Sequence, residues 1–493
     1  MTATEDASPL SGPPEAMSAA DMAALLEENA RLRAENSALK ETLEPLLARI
    51  AELERRLGLN SSNSAKPPSS DGLNKPKREP RTCSLRERSG KSPGGQKGHK
   101  GETLCQVAEP DRTIDHVREA CPRCGSALTV AMSIGYQARQ VFDLPEPQPL
   151  SVTEHRAHDC RCGRCGHQSR AGFPDGVTAP VQYGPRIAAI VVYLLHYQFL
   201  PEDRLAEAMA ELFGVPLVAA TIARISRRCA ERFQGFAEAV GTRVKAAAVK
   251  HLDETGFRIG GKTQWLHIAC TVWLVFYRVT PKRGSLLDGI TGIVVHDHWK
   301  PYYTLQGVVH ALCNAHHLRE LKALVEIEKE DWARRMQGLL RRACHATNLA
   351  RDRGAPLNPT LVALIRRRFD AILAQGLAFH QSLPPLATGQ PHRRGRTPRR
   401  TGDNLLIRLH RRKEDVLRFL SDPAVPFTNN EAERDGRMMK LRQKISGGFR
   451  AEHGAGDFAI IRSLLATAKK QGWNLIHTLT QNPDTLLARL RTA

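Results

Sequence analysis

Five leucines, Leu25, Leu32, Leu39, Leu46 and Leu53, recur at seven-residue spacing. That repeat dictates a helix whose apolar seam keeps register with a partner helix. With these leucines at d, the a positions are Met22, Asn29, Asn36, Leu43, Ile50 and Leu57. Asn at a costs stability but specifies register and a two-stranded state. The pattern predicts a coiled coil over residues 21–58 that pairs protomers into a homodimer or higher oligomer; an intramolecular helical hairpin is the alternative. Pro45 lacks a backbone donor and should kink or split this helix. Residues 1–20 are small, acidic and Pro-rich, and a disordered lead-in is expected there.

Residues 59–102 have no apolar period and read as a flexible basic linker, whose Gly-rich end with Lys97 and Lys100 could lie in a DNA minor groove. The whole chain has 493 residues and a net charge of +21. Residues 75–100, 393–413 and 434–450 carry +7, +8 and +5 of it. Three such runs point to phosphate neutralisation, so the expected partner is nucleic acid. A membrane is not expected: the longest apolar run, Ile187–Leu195, has nine residues, and a spanning helix needs about 20. No basic segment precedes an apolar stretch at the N-terminus, so no secretory signal is expected. Eleven cysteines, two pairs of them as Cys-x-x-Cys, favour a reducing compartment and a metal site over disulfides. The expected location is cytoplasmic.

Residues 103–175 contain Cys121-Pro-Arg-Cys124-Gly and Cys162-Gly-Arg-Cys165-Gly. Two such knuckles can bring four thiolates around one structural zinc ion, with Gly relieving each tight turn. Cys160, His158 and His167 lie close enough in sequence to replace one ligand. Residues 176–245 read as helices: Arg186–Phe199, then Glu202–Phe213, a turn at Gly214-Val-Pro216, and Ala219–Phe233. The last two form a helix–turn–helix pattern with Arg224, Arg227 and Arg228 on its second helix, a DNA-reading arrangement or a plain helical hairpin.

From residue 246 the pattern changes to strands. Ala246–Leu252 is apolar and ends in Asp253; Gly260-Gly261 marks a turn; Gln264–Thr280 reads as a hairpin. A short helix is expected around Ser285–Ile290, then strand Ile293–Val295 running into His296-Asp297, then strand Gly307–Leu312. Acids at strand ends can converge on divalent cations, and with a third acid they can hold two magnesium ions. The third comes from Thr428-Asn-Asn-Glu431-Ala-Glu433-Arg434, which opens a helix through Lys444. Thr428–Glu431 and Asn430–Glu433 also fit capping-box spacing. Glu433 shares a helical face with Lys440, which could grip an adjacent phosphate, whereas Glu431 has Met438 at that offset. Glu433 is therefore favoured and Glu431 stays open. Arg434, Lys440 and Lys444 are candidate DNA contacts.

Taken together, these motifs resemble bacterial insertion-sequence transposases with an Asp-Asp-Glu site, specifically the family numbered sixty-six. The resemblance is carried by Asn60-Ser-Ser-Asn-Ser-Ala-Lys-Pro-Pro-Ser-Ser-Asp-Gly72, the two knuckles, His251-Leu-Asp253-Glu-Thr, His296-Asp297-His-Trp299, Cys313-Asn-Ala-His316 and Asn429-Asn-x-x-Glu433-Arg434. It implies a multidomain α/β protein. A ribonuclease-H-like core would span residues 246–453, with an insert at about 314–425 and a C-terminal extension at 454–493. The coiled coil, zinc module and helical region would precede it. Asp253, Asp297 and Glu433 would be the catalytic acids, and Cys313 and His316 would organise the insert. Where the family often has Asp before Asn429, this chain has Thr428.

The expected activity is binding of terminal inverted repeats and target DNA, with magnesium-dependent strand cleavage and strand transfer. Accessory transposition proteins are a further class of partner. The alternatives are a non-catalytic zinc-containing DNA-binding regulator and a structure-specific nuclease that never joins strands.

Overall fold

The computed structural model describes residues 19–58, 105–143, 150–284, 288–384, 386 and 399–491. Lys97, Lys100 and the basic linker lie outside these residues. Two compact units emerge. One comprises residues up to Cys83, Gln234–Gly472 and Asp484 onward; the other comprises Ser84–Phe233 and Trp473–Pro483.

Ala19–Gly58 forms α1, which runs unbroken through Pro45. The expected split does not occur: proline removes one donor, and strong helix formers flank it on both sides. The seam leucines are open, with Leu32, Leu39, Leu46 and Leu53 at 46, 59, 59 and 42% exposure. Asn36, an a position, donates to the Leu32 carbonyl at 3.0 Å within its own helix.

In the knuckle region the described residues form a small antiparallel hairpin, β1 (Asp159–Arg161) and β2 (Gln168–Arg170), with a 3-10 turn at Val130–Met132 and a bridge between Ala120 and Ala127. After it come α2 (Pro185–His196), α3 (Glu202–Phe213) and α4 (Ala219–Ala246). Val191, Leu205, Met209, Val215, Leu217 and Ile222 form their core. A hydrogen bond of 2.7 Å joins His196 to Ser226 inside it. Helix α4 does not stop at Phe233 as its sequence suggested. Phe233, Phe236, Ala237, Val240 and Val244 keep the buried period going. The division between the units therefore falls within this helix.

The five-stranded sheet has the order β5-β4-β3-β6-β7. Its strands are β3 (Val249–Ile259), β4 (Lys262–Cys270), β5 (Val275–Thr280), β6 (Gly292–His296) and β7 (Val308–Leu312). Strands β3, β4 and β5 are antiparallel, while β6 and β7 run parallel to β3. Gly260 and Gly261, at φ +51° and +82°, make the two-residue turn that sequence marked. Asp253 does not end its strand as expected. The parallel ladder to β6 stops at His251–Val295, but the antiparallel pairing to β4 continues past Asp253–Ile268 to Ile259–Lys262. Asp297 directly follows β6, so both acids lie just beyond the end of the β3–β6 ladder. The expected helix at Ser285–Ile290 is absent from its described part, Asp288–Ile290.

After β7 comes a helical insertion of α5 (Asn314–Ala323), α6 (Asp331–Asp352), α7 (Pro359–Ser382), α8 (Thr401–Arg411) and α9 (Lys413–Ser421). Then α10 (Asn430–Ser446) lies across β3 and β4, and α11 (Glu452–Lys470) covers β5. The free edge of β5 is closed by hydroxyls of α11. Ser463 accepts from the Tyr277 N–H at 2.9 Å and Thr467 from the Val275 N–H at 3.0 Å. The chain end is not one extension. Helix α12 (Leu475–Thr480) packs on α2, where Arg232 donates to the Leu479 and Thr480 carbonyls, each at 3.2 Å, capping its C-terminus.

Candidate active site and zinc knuckles

Asp253 on β3, Asp297 after β6 and Glu433 in the first turn of α10 lie near enough to act on one another electrostatically, although their oxygens do not form one group within 4.8 Å. Burial pushes the Asp253 carboxyl well above its ordinary range, and the negative charges of Glu254, Asp297 and Glu433 push in the same direction. Asp297 is raised as well, by burial first and by Glu254 next. The Trp299 N–H donates to Asp297 Oδ1 at 2.9 Å and orients that carboxylate.

Helix α10 reaches the sheet through two residues that sequence reasoning did not single out. Asn429 is buried; its Nδ2 donates to the Leu252 carbonyl at 2.7 Å and its Oδ1 meets His251 Nδ1 at 2.9 Å. Both partners immediately precede Asp253, so this amide ties the start of α10 to β3. Gly436, one turn beyond Glu433, faces Asp253 so closely that a Cβ there would lie 3.5 Å from Oδ2. Neither capping box forms: the N-cap is Asn429, with no side-chain capping bond.

Glu433 and Glu431 point to different surroundings. Glu433 is largely buried, with Cys313 Sγ 3.7 Å and His316 Nδ1 3.8 Å from Oε1, and Arg319 and Arg437 at 3.5 and 3.4 Å from Oε2. Glu431 instead pairs with Arg434 and with Lys470 at 3.3 Å. Glu254, next to Asp253, is also buried; Arg283 Nε donates to it at 2.8 Å, and Tyr302 donates its hydroxyl. The Arg283 guanidinium stacks over Trp299 at 4.1 Å. Glu254, Arg283 and Tyr302 carry no spacing signal, because they meet only when the sheet assembles.

The basic candidates divide. Arg224, Arg227 and Arg228 are exposed on α4, and Lys444 is exposed on α10. Lys440 does not project toward a phosphate; its ammonium donates to the Gly256 carbonyl at 2.7 Å. Within the run 393–413, Arg399 pairs with Asp403, Arg408 with Glu320 and Lys413 with Asp370, so part of that charge is neutralised inside the fold. Cys313 directly follows β7 and caps the start of α5, where the insertion leaves. Its sulfur accepts the Asn429 N–H at 3.0 Å where the chain returns.

The two knuckles have the same backbone. Gly125 N–H donates to the Cys121 carbonyl and Gly166 N–H to the Cys162 carbonyl, each at 2.9 Å, and both glycines sit at φ +74°. Cys121 and Cys162 donate in turn to the Ser126 and His167 carbonyls at 2.8 Å. The Ser126 hydroxyl lowers the Cys124 thiol, and the Cys165 N–H lowers Cys162, which favours the thiolates a metal needs. The four sulfurs do not converge: the ligand cluster found among the described residues is Cys313, His316 and Glu433. Cys160 and His167 stay exposed beside the second knuckle. No described residue from 105 to 184 is buried, so this module has no apolar core to set its tertiary structure. A small module without a core and with two thiol pairs fits a zinc-dependent fold.

The family model of the transposase IS66 family matches residues 180–457, more than half of the chain. The chain belongs to the IS66 transposase family. A second model, the zinc-finger binding domain of transposase IS66, matches residues 118–166 of this transposase and spans both knuckles, which assigns zinc to the module. Residues 13–104 match a family of unknown function. The uncharacterized protein y4jO of Sinorhizobium fredii is 38% identical over 77 residues, 16% of this chain and 24% of that protein. The match thus spans about a quarter of that relative. Among the described residues, no helix is long and apolar enough to cross a membrane.

Proposed function

We propose that this transposase binds the terminal inverted repeats of its own element, cleaves the phosphodiester at each end and joins the freed 3′-hydroxyl to target DNA. The observation that carries this reading is the placement of Asp253 and Asp297 just beyond the end of the β3–β6 ladder, with Glu433 on the helix across β3 and β4. The sheet order, three antiparallel strands followed by two parallel ones, supports a ribonuclease-H-like core.

The donor set fits hard cations. Burial raises the Asp253 carboxyl and the negative charges of Glu254, Asp297 and Glu433 add to it, and added positive charge would relieve that repulsion. Asp253, Asp297 and Glu433 would hold two magnesium ions, which when bound supply an activated water or 3′-hydroxyl and stabilise the leaving oxygen. Trp299 and Asn429 fix the directions of the acids. Exposed Arg224, Arg227, Arg228, Arg434 and Lys444 take phosphates without reading sequence. The open leucines of α1 pair two protomers, which suits holding two element ends. Four knuckle thiolates on one zinc ion are the module's proposed closed state, formed when the metal draws the two pairs together.

The test is incubation of the full chain with magnesium, target DNA and a supercoiled plasmid carrying the element's ends. Joined donor–target products are expected. Cleavage without joining would instead favour a structure-specific nuclease, and end binding with no cleavage a non-catalytic regulator.

A further inference from the structure

Cys313, His316 and Glu433 come from the end of β7, the first turn of α5 and the first turn of α10. One ligand atom from each lies within 4.8 Å of the other two. Glu433 Oε1 is the centre of the group, 3.7 Å from Cys313 Sγ and 3.8 Å from His316 Nδ1. The site is built from its surroundings. Cys313 is fully enclosed, and its sulfur is aimed by the Asn429 N–H at 3.0 Å. Arg319 and Arg437 take the other oxygen of Glu433, which leaves Oε1 facing the sulfur and the imidazole. His316 Nδ1 is buried with no hydrogen-bond partner, an arrangement native interiors avoid unless something else satisfies the atom.

We propose that Cys313, His316 and Glu433 form a second metal site, for a borderline divalent cation of the zinc or cobalt class. A thiolate, an imidazole and a carboxylate are the ligands such ions select, whereas magnesium avoids sulfur. A tetrahedral ion with bonds of about 2.0–2.3 Å spans ligand separations of roughly 3.3–3.7 Å. The two separations to Glu433 need shifts of only a few tenths of an ångström. Three protein ligands leave one coordination position for water. Loading displaces the thiol proton to solvent, so the thiolate, the imidazole and Glu433 coordinate together. The site goes beyond strand transfer, but it shares Glu433 with the proposed catalytic acids. A borderline cation bound here would draw that carboxylate toward β7 and compete with magnesium for it.

The test is cobalt loading of the full chain after metal removal, without DNA, read by metal analysis and absorption. His316→Gln keeps the Asn429–Cys313 contact and should fold; Cys313→Ser is the second variant. Each should bind one equivalent of cobalt fewer than the unmodified chain and lose a thiolate-to-cobalt charge-transfer component. Cys121→Ser with Cys124→Ser should lower the total while preserving that difference. Equal cobalt content and equal spectra in the unmodified chain and in folded His316→Gln would overturn the proposal. Because no DNA is present, that failure leaves strand transfer untouched, and a chain that loads cobalt here but never joins strands fails only the proposed function.

Discussion

Asn429 ties the start of α10 to β3 through two buried hydrogen bonds. Asn429→Ala removes two buried bonds, at 2.7 Å to the Leu252 carbonyl and 2.9 Å to His251. Both partners sit on a buried stretch of β3, so water does not replace the lost bonds. A buried polar group stranded in this way costs about 1–3 kcal/mol. The two together predict a loss of roughly 2–6 kcal/mol, a large share of a typical domain's stability. At about 2–4 °C per kcal/mol, thermal melting of the full chain followed by circular dichroism should show the sheet transition fall by roughly 4–24 °C. The same change loosens α10 where it carries Glu433. Cleavage of a labelled element end, assayed below the lowered transition, should therefore drop more than end binding does. An Asn429→Ala protein with an unshifted transition and full cleavage would refute the argument that this amide holds the third acid against β3.

Gly436→Ala should separate stability from activity. Its methyl has ordinary contact distance to Ile268, 3.4 Å, so helix propensity should raise stability by about 1 kcal/mol, while the same methyl 3.5 Å from Asp253 Oδ2 should depress strand cleavage. Chelation of zinc should make residues 105–184 protease-sensitive without shifting the melting of the sheet, since that module has no buried residue to hold it; unchanged digestion would contradict this. Lys250 is buried, and desolvation lowers its pKa from 10.5 to about 8. Below pH 8 both folded and unfolded chains carry the proton and the full burial cost applies; between about 8 and 10.5 the unfolded chain binds more protons, so stability rises with pH. Lys250→Met should thus be the more stable protein at pH 7, with the gap in urea unfolding narrowing above pH 8.

Local pattern revealed what local physics controls. The β-branched runs marked the strands, Gly260-Gly261 marked the turn, and the lysine offset was the ground for preferring Glu433 to Glu431. The same offset misled about Lys440. Sharing a face with Glu433 says nothing of what that face packs on, and the sheet offers the Gly256 carbonyl. Asp253 read as a strand end because the apolar run stops there, yet antiparallel pairing to β4 carries the strand on. Asn429 was invisible as a clamp because its partners lie about 180 residues away in sequence. The basic run around Arg408 read as charge available to phosphates because its acids, Glu320 and Asp370, belong to distant helices. Knuckle spacing predicted each turn correctly, but spacing alone could not draw four sulfurs together.

The most direct test of the site is single-turnover cleavage of a labelled element end by four variants: Asp253→Asn, Asp297→Asn, Glu433→Gln and Glu431→Gln. Each of the first three should lose cleavage while still binding the end, because each removes one wall of a shared carboxylate site. Glu431→Gln should cleave, since that side chain is engaged by Arg434 and Lys470. Robust cleavage by Asp253→Asn, or loss confined to Glu431→Gln with Glu433→Gln active, would contradict the assignment.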